Sequence, residues 1–318
     1  MQIISGTKEF NQLPPAAVAI GKFDGVHRGH RKLIGELLAR KAQGLCAAIL
    51  TFTPAPETFF GFGDGYSVTT QEEKRRIFSE LGIDYLIEYP FDRETADTLP
   101  ELFVREILQE QMNARFIAAG PDLSYGRRGV GDYTLLEEIG REEGFETMCV
   151  EKLRIGGEVV SSSRIRALLR EGRMEEVQEC LGRPYSILGT VRHGRELGRT
   201  IGIPTINQVP ETEKLLPPRG VYYSIVTVDG TAFPGMTNIG VRPTVSGDGT
   251  ITAETHLFGF SGDLYGKSAQ TDLLHFRRPE KRFGSLEELK AAMEADIRAG
   301  EDLFRRDFPC LQTEQVMI

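Results

Sequence analysis

The sequence predicts an α/β protein with two domains, a doubly wound parallel sheet followed by an antiparallel β-barrel that ends in a helix. In the first half, short apolar runs alternate with helix-patterned segments, which is typical of a parallel sheet covered by helices. After Gly182-Arg183-Pro184 the pattern changes to short β-type runs joined by turns, which is typical of an antiparallel barrel. The 318 residues also exceed the ~250–300 at which a single core usually stops growing. We therefore predict domains over residues 1–184 and 185–318.

Composition narrows the class of protein. With 40% hydrophobic and 26% charged residues, the chain is typical of soluble globular proteins. The net charge of −8 argues against nucleic acid as a partner, although the basic cluster at 192–199 suits small phosphorylated ligands. We expect no membrane segment, because no apolar run approaches ~20 residues and the N-terminus does not read as a signal peptide. The four cysteines lie far apart without metal-ligand or disulfide spacing, which favours a location in the cytoplasm. The sequence leaves the oligomeric state open.

The first half contains five predicted strands separated by helices. The strands are residues 16–20, 46–52, 85–89, 116–119 and 146–150. A helical repeat runs to Gly44 after the first strand, and Thr70 with Glu73 forms a capping-box signal for a helix that ends at Leu81. Further helices are predicted over 99–112 and, capped by Asp132, up to Glu143. A loop rich in Pro, Gly and Phe occupies 53–68, and a glycine-rich loop occupies 120–131.

The second half is predicted as a barrel preceded and closed by helices. Two helical stretches, 162–171 and 174–181, come before the change of pattern. The predicted strands are 187–192, 221–228, 252–258 and 270–276, with turns at 229–230 and 247–249. Ser285 and Glu288 read as a capping box for the closing helix, whose predicted apolar face comprises Leu286, Leu289, Met293 and Ile297.

The first chemical motif lies where the first apolar strand ends. Gly21, Gly25 and Gly29 punctuate the turn into a helix, and His27 and His30 lie at the helix start. Glycines allow close backbone approach, and the free amides of a first helical turn bind phosphate. Two histidines could also bind a metal or be incidental, but two of the chain's five histidines at one strand–helix junction favour phosphate chemistry. Imidazoles there can donate to the charge that builds on a pentacoordinate phosphorus.

A second helix start carries the sequence SSSRIR at residues 161–166. Serines at such a position are often only caps. Arginines in the first turn, however, oppose the helix dipole, which costs roughly a few tenths of a kcal/mol unless an anion is bound. Arg164 and Arg166 therefore indicate a triphosphate or pyrophosphate partner.

Together these motifs resemble the nucleotidyltransferase half of the prokaryotic bifunctional riboflavin kinase/FAD synthetase family. The matching stretches are GKFDGVHRGH at 21–30 and SSSRIRALLREG at 161–172. The H-x-G-H element is shared with the wider nucleotidyltransferase superfamily and with class I tRNA synthetases, so it does not define the substrate. The second half continues the family's order with GRTIGIPTIN at 198–207, GVY at 220–222, NIGVRPT at 238–244, ETH at 254–256, LYG at 264–266 and FRRPEKRF at 276–283.

The resemblance implies a Rossmann-like FMN adenylyltransferase domain and a riboflavin kinase barrel, which use ATP and Mg²⁺ to convert riboflavin to FMN and FMN to FAD. In the first domain, His27 and His30 are implied to be catalytic, and Asp122 and Tyr125 to line the flavin end. The implied ATP-binding residues there are Gly21, Phe23, Asp24, Gly29, Ser162, Arg164 and Arg166.

In the barrel, the resemblance makes Glu254 the base for the riboflavin 5′-hydroxyl and makes Arg277 and Glu280 flavin-binding residues. It assigns ATP binding to Gly198, Thr205 and Asn207, and metal binding to the last two. Independently of the resemblance, Thr205 and Asn207 lie two apart on an extended segment, so their oxygens face the same side, which suits contact with a metal and phosphate.

The chain departs from the family pattern mainly in its first half. Thr53 and Ala55 stand where an acid and a histidine are usual, and Leu123 replaces a usual Phe. In the second half, Ile203 and Gly259 replace a usual Phe and Asp. Two alternatives therefore stay open: a riboflavin kinase with a weakened or altered nucleotidyltransferase domain, and a non-catalytic flavin-binding regulator. A third, adenylyl transfer to a different phosphate ester, leaves the barrel motifs unexplained.

Overall fold

A computed structural model describes residues 1–194, 198, 202–242 and 250–312. The chain folds into two compact units, residues 1–164 and 165–318. Several features predicted from the sequence lie outside the described residues. They are the turn at 247–249, Arg195 and Arg199 of the basic cluster, residues 199–201 of the GRTIGIPTIN stretch, and Pro243 and Thr244 of NIGVRPT.

Six parallel strands form the main sheet of the first unit. They are β1 Gln2–Ser5, β2 Ala16–Ile20, β3 Cys46–Thr53, β4 Tyr85–Pro90, β5 Ala114–Ala119 and β6 Glu146–Cys149. Their order across the sheet is β1-β4-β3-β2-β5-β6, and every neighbouring pair is parallel. The chain proceeds outwards from β2 in both directions. This reversal creates a switch point at the carboxyl end of β2, where open α/β sheets bind ligands.

Helices cover both faces of this sheet. Those of the first unit are α1 Arg28–Arg40, α2 Pro56–Phe59, α3 Gln71–Leu81, α4 Arg93–Asp97, α5 Pro100–Leu102, a π-helix Phe103–Gln111 that continues α5, and α6 Tyr133–Glu143. Alternate residues of β2 enter different cores: Ala17 and Ala19 pack with α1 and α3, whereas Val18 and Ile20 pack with the π-helix and α6. The predicted doubly wound sheet is therefore confirmed.

The helix starts follow the predicted capping chemistry in the first unit. Thr70 and Glu73 form a complete capping box at α3, and the Asp132 carboxylate accepts the Leu135 backbone N–H at 2.9 Å, at the start of α6. The prediction of five strands is incomplete, since β1 is a short, mostly exposed edge strand with a weak pattern. A two-stranded hairpin, β7 Arg154–Ile155 with β8 Glu158–Val159, was also not predicted.

The second unit contains a six-stranded antiparallel sheet. Its strands are β9 Tyr185–Thr190, β10 Ile206–Gln208, β11 Gly220–Val228, β12 Thr231–Arg242, β13 Thr250–Leu257 and β14 Ser268–Pro279. The order is β10-β13-β12-β11-β14-β9. The outer strands are joined by an antiparallel bridge between Arg192 and Asn207, which supports the predicted barrel. The sequence did not predict β12, because its Pro234 and its glycines resemble a loop.

Two helices follow the β7–β8 hairpin. α7 Ser162–Glu171 spans the division between the units, and α8 Met174–Leu181 packs against β9 and β14. Residues 165–184, which the sequence analysis assigns to the first domain, therefore fold with the second unit.

The closing helix, α9 Leu286–Asp307, buries the predicted side, but mainly in its second half, and its first turn is exposed. Leu286 is 56% exposed, whereas Asp296, Gly300 and Phe304 are the buried positions. The Ser285 hydroxyl accepts the Glu288 backbone N–H at 3.2 Å, but the Glu288 carboxylate accepts from Gly284 instead of Ser285. The capping box is thus only half formed.

None of the helices among the described residues has the length and apolarity needed to cross a membrane.

Candidate active sites

The turn after β2 holds three residues in the left-handed region. Phe23 has φ 50°, Gly25 φ 85° and Val26 φ 39°. This conformation is strained for bulky or β-branched side chains, and such strain concentrates at functional sites. Phe23 and Val26 are nevertheless buried in the core with α1 and α3, so packing holds the turn in place.

Asp24 fastens this turn to a second loop. Its carboxylate accepts the backbone N–H groups of Val68 at 2.8 Å and Thr69 at 3.3 Å. In return, the Gly25 N–H donates to the Thr69 hydroxyl at 3.0 Å. The structure therefore gives Asp24, predicted as an ATP-binding residue, a clear part in building the turn.

His27 caps α1 and stacks on His30. Its Nδ1 accepts the His30 backbone N–H at 3.2 Å, so the neutral ring carries its proton on Nε2. The two imidazoles lie parallel, with centroids 3.6 Å apart and planes inclined by 15°. A helix cap therefore determines which His27 nitrogen can donate.

His30 is held as a neutral ring. The Phe23 ring meets it edge-on at 5.1 Å, and its Nδ1 is buried without a hydrogen-bond partner. Burial, followed by the neighbouring His27 ring, lowers the pKa of His30 well below its ordinary value of 6.5. The sequence motif predicted the pair of histidines but not their stacking or protonation state.

Two glycines lie close to these rings. A Cβ on Gly29 would lie 3.1 Å from the His27 ring, and one on Gly21 would lie 3.2 Å from the Phe23 ring. Both contacts are tighter than ordinary van der Waals packing. Gly21 and Gly29, predicted as ATP-binding residues, therefore also make room for the stacked rings.

The amino-terminal end of α7 meets this turn. The Ser162 hydroxyl donates to the Asp24 carbonyl at 2.8 Å, and the Ser161 hydroxyl accepts the Arg164 backbone N–H at 3.3 Å. Neither α1 nor α7 has an acidic residue in its first turn. Two positive helix ends therefore converge next to the histidine pair, as required for a polyphosphate.

Other predicted residues of the first unit have protein partners. The Arg164 guanidinium donates to the carbonyls of Ile155 and Glu158 in the β7–β8 hairpin at 3.1 and 3.2 Å. Asp122 pairs with Lys152 at 2.9 Å. Arg166, on α7, belongs to the second unit. The structure thus brings together the histidines, the glycines, Asp24 and Ser162, but it engages Arg164 and Asp122 elsewhere.

Tyr125 does not offer a stacking surface. It is 4% exposed, and its ring packs 5.7 Å from that of Phe103 in the core. Burial raises the pKa of its hydroxyl. Leu123, one of the departures from the family pattern, packs against the same core. The aromatic surface expected from Tyr125 is therefore turned inwards.

Exposed aromatic rings lie instead at the end of α2 and directly after it, in a stretch to which the sequence analysis assigned no role. Phe59, Phe60 and Phe62 are 37%, 48% and 69% exposed. The Phe59 and Phe60 rings both meet Phe91, at 5.4 and 5.9 Å. Four aromatic residues at positions 59–66 of a polar-flanked loop were the available sequence signal.

In the second unit, the strand register aligns three polar side chains. Asn207 of β10 lies directly opposite Glu254 of β13, and Glu254 lies opposite Asn238 of β12. Directly opposed residues point to the same face of a sheet. Asn238 was not predicted as a site residue, because only the register places it beside Glu254.

The environment of Asn207 fits a cation or a hydrogen-bond donor from a ligand. Asn207 is 5% exposed, and its Oδ1 is buried without a partner. A Cβ on Gly194 would lie 2.3 Å from its Nδ2, so the glycine allows this close approach. An amide oxygen is a ligand that Mg²⁺ accepts, and Thr205 adds a hydroxyl two residues earlier. Among the described residues, no group of three His, Cys, Asp or Glu side chains could hold a metal ion.

The remaining predicted kinase residues occupy different surroundings. The Gly198 carbonyl accepts the Ile203 N–H at 2.7 Å, and the Glu280 carboxylate lies over Gly240, 2.8 Å from where a Cβ would be. Arg277 pairs with Asp296 of α9 at 3.3 Å. Gly198 and Glu280 thus lie near Thr205 and Asn238, whereas Arg277 anchors the closing helix.

We expect the lowered pKa of His30 to make stability pH-dependent. Below pH 6.5 the unfolded chain binds a proton that the folded ring refuses, so the free energy of unfolding falls as the pH falls. Melting temperatures measured from pH 7.5 to pH 5 should therefore decline more steeply for the wild type than for His30→Gln. Equal declines would contradict a neutral His30.

The chain is similar to known proteins in both of its units. The family described as FAD synthetase matches residues 9–164, and that described as riboflavin kinase matches residues 181–304. A bifunctional riboflavin kinase/FMN adenylyltransferase of Escherichia coli K12 is 36% identical over 96% of this chain and 98% of its own length. Its namesake from Pseudomonas fluorescens is 34% identical over 95% and 98%. A crystal structure described as a macrolide-efflux protein, from Streptococcus pneumoniae, superposes with a TM-score of 0.82 at 26% identity, over 92% of this chain and 96% of that one.

Proposed function

Since the chain belongs to the family of bifunctional riboflavin kinase/FMN adenylyltransferases, we propose that its barrel phosphorylates riboflavin and its parallel-sheet unit converts FMN to FAD. The small-molecule substrates are then riboflavin, FMN and ATP. We further propose functional domains over residues 1–184 and 185–318 and a cytoplasmic location, which is supported by the absence of a disulfide among the four cysteines.

In the first unit, the FMN phosphate attacks the α-phosphorus of ATP, the bond to the β-phosphate breaks, and pyrophosphate leaves. His27 and His30 stabilise the charge on the transferring phosphate, with Nε2 of His27 as a donor because its Nδ1 serves the helix cap. The backbone amides of the first turns of α1 and α7, that of Ser162 among them, hold the polyphosphate, while the Ser162 hydroxyl keeps the start of α7 against Asp24.

In the barrel, Glu254 accepts the proton of the riboflavin 5′-hydroxyl while that oxygen takes the γ-phosphoryl group of ATP and ADP leaves. Thr205 and Asn207 would hold Mg²⁺, which neutralises phosphate charge when bound. Gly198 permits the close backbone turn beside Thr205. Asn238, opposite Glu254, completes the polar row.

One observation carries this proposal. Asn207 lies directly opposite Glu254, beside the bridge that joins the outer strands of the barrel. This arrangement places the buried, unpartnered Asn207 oxygen and a carboxylate on the same face of neighbouring strands. A flavin-binding regulator without turnover would not need an unpaired amide oxygen beside a potential base.

We expect the purified protein, given riboflavin, ATP and Mg²⁺, to form FMN first and FAD later, as followed by chromatographic separation of the flavins. FMN without FAD would support the alternative of a weakened or altered nucleotidyltransferase unit. Unchanged riboflavin would contradict both activities and favour the regulator. Supplying FMN directly tests the second step without the first.

A further inference from the structure

His256 makes a long-range hydrogen bond to the segment that carries Thr205. Its Nδ1 lies 2.8 Å from the carbonyl oxygen of Pro204. A carbonyl oxygen can only accept, so Nδ1 must carry the proton and donate. The bond links β13 to a segment 52 residues earlier in the chain.

This side-chain bond connects β13 to the segment before β10 at a point where the backbone pairing of the two strands has ended. β10 pairs with β13 from Gln208 to Ile206, which lies opposite Thr255. The next pair in this register would be Thr205 with His256, but the backbone ladder ends at Ile206. The His256 side chain then binds the carbonyl of Pro204, a residue that has no N–H with which to extend the ladder.

The imidazole also lies next to the apolar cluster that the sheet forms with α9. The His256 ring lies 5.9 Å from the ring of Phe258, which lies 5.9 Å from that of Phe304 on α9. On the other side of Pro204, the Ile203 N–H donates to the Gly198 carbonyl at 2.7 Å. Thr205 therefore lies between fixed points on both sides, namely Ile203–Pro204 and the start of β10.

We propose that His256 is a positioning residue of the kinase site, whose Nδ1–H bond to Pro204 fixes the backbone that presents Thr205 beside Asn207. Its effect is exerted through Thr205 on the phosphates and cation of the nucleotide, and it makes no contact with the flavin. This inference rests on the proposed function, because it assumes that Thr205 and Asn207 bind the nucleotide with Mg²⁺.

Three substitutions separate the hydrogen bond from the ring. His256→Ala removes both. In His256→Asn the amide nitrogen takes the place of Nδ1 and keeps the donor, whereas in His256→Gln it takes the place of Nε2 and loses it. Thr205→Val, which removes the proposed oxygen ligand at constant shape, tests the proposed function separately.

The measurement is binding of ADP by titration calorimetry, with and without Mg²⁺, together with riboflavin binding and hydrogen exchange of residues 202–208. We expect His256→Ala and His256→Gln to weaken Mg²⁺–ADP binding about five- to tenfold, the loss of one hydrogen bond. The rate of amide hydrogen exchange at Thr205 should rise in both variants, while their affinity for riboflavin should stay at the wild-type value. His256→Asn should behave as the wild type in all these measurements. In steady-state assays the KM for ATP should rise more than kcat falls.

The outcomes distinguish the two levels of inference. Wild-type Mg²⁺–ADP binding by His256→Ala, or equal impairment of the Asn and Gln variants, would overturn the role of His256 while leaving the kinase assignment intact. Wild-type Mg²⁺–ADP binding by Thr205→Val would overturn the assignment of Thr205 whatever the His256 variants do.

Discussion

Replacing Glu254 by glutamine is expected to slow FMN formation by roughly 10²–10⁴-fold, the usual contribution of a positioned general base. Glutamine keeps the size of the side chain and its place opposite Asn207 and Asn238, but its amide cannot take the proton of the riboflavin hydroxyl. The rate of FAD formation from supplied FMN should not change, because the histidine pair lies in the other unit. Both rates are measured by separating the flavins over time.

A matched control for this variant is Glu301→Gln, which removes the charge of an exposed carboxylate on α9. It should behave as the wild type in both reactions. Loss of both activities in Glu254→Gln would refute independent sites, and unchanged FMN formation would exclude Glu254 as the base. Wild-type affinity for riboflavin in Glu254→Gln would show that the defect lies in the chemical step.

The kinase site illustrates what a linear sequence can and cannot provide. Motif resemblance named Thr205, Asn207 and Glu254 without any knowledge of pairing. The opposition of Asn207 and Glu254 depends on register between strands nearly fifty residues apart in the chain, and register is determined by the folded sheet. Asn238 was missed because its place beside Glu254 also depends on register. In addition, the sequence of its strand resembles a loop.

The nucleotidyltransferase turn was predicted more completely because its interactions are local. A strand, a glycine turn and a helix start are contiguous between Ala16 and His30, so spacing alone predicted a phosphate site. The stacking of the histidines and the neutral state of His30 require Phe23 and the core behind it. Burial of this kind has no signature in the spacing of residues.

The sequence did not predict how the Tyr125 ring is oriented. It was assigned to the flavin end because it keeps an aromatic ring in the Gly120–Gly131 loop, yet the ring packs on Phe103 in the core. A single aromatic in a glycine-rich loop can face either way, and only the surrounding packing decides. The exposed rings of Phe59 and Phe60 show that an aromatic surface exists in another loop of the same unit.

Replacing His30 by alanine is expected to reverse the result for Glu254. FAD formation from FMN should slow by roughly 10²–10³-fold, the usual cost of removing one group that stabilises transition-state charge. FMN formation from riboflavin should be retained, because Glu254, Thr205 and Asn207 all belong to the other unit. Each step is measured alone by supplying either riboflavin or FMN with ATP.

The control for His30→Ala is Lys32→Ala, which removes another polar side chain from the same helix, one bound to the Glu151 carbonyl at 3.0 Å. It should retain FAD formation. Since alanine also removes the stacking partner of His27 and the edge contact with Phe23, His30→Gln separates chemistry from packing. If the glutamine variant melts like the wild type but still fails to form FAD, the imidazole acts in the reaction. If instead His30→Ala makes FAD at the wild-type rate, the stacked pair is only structural, and the departures at Thr53, Ala55 and Leu123 would then accompany a different way of binding phosphate.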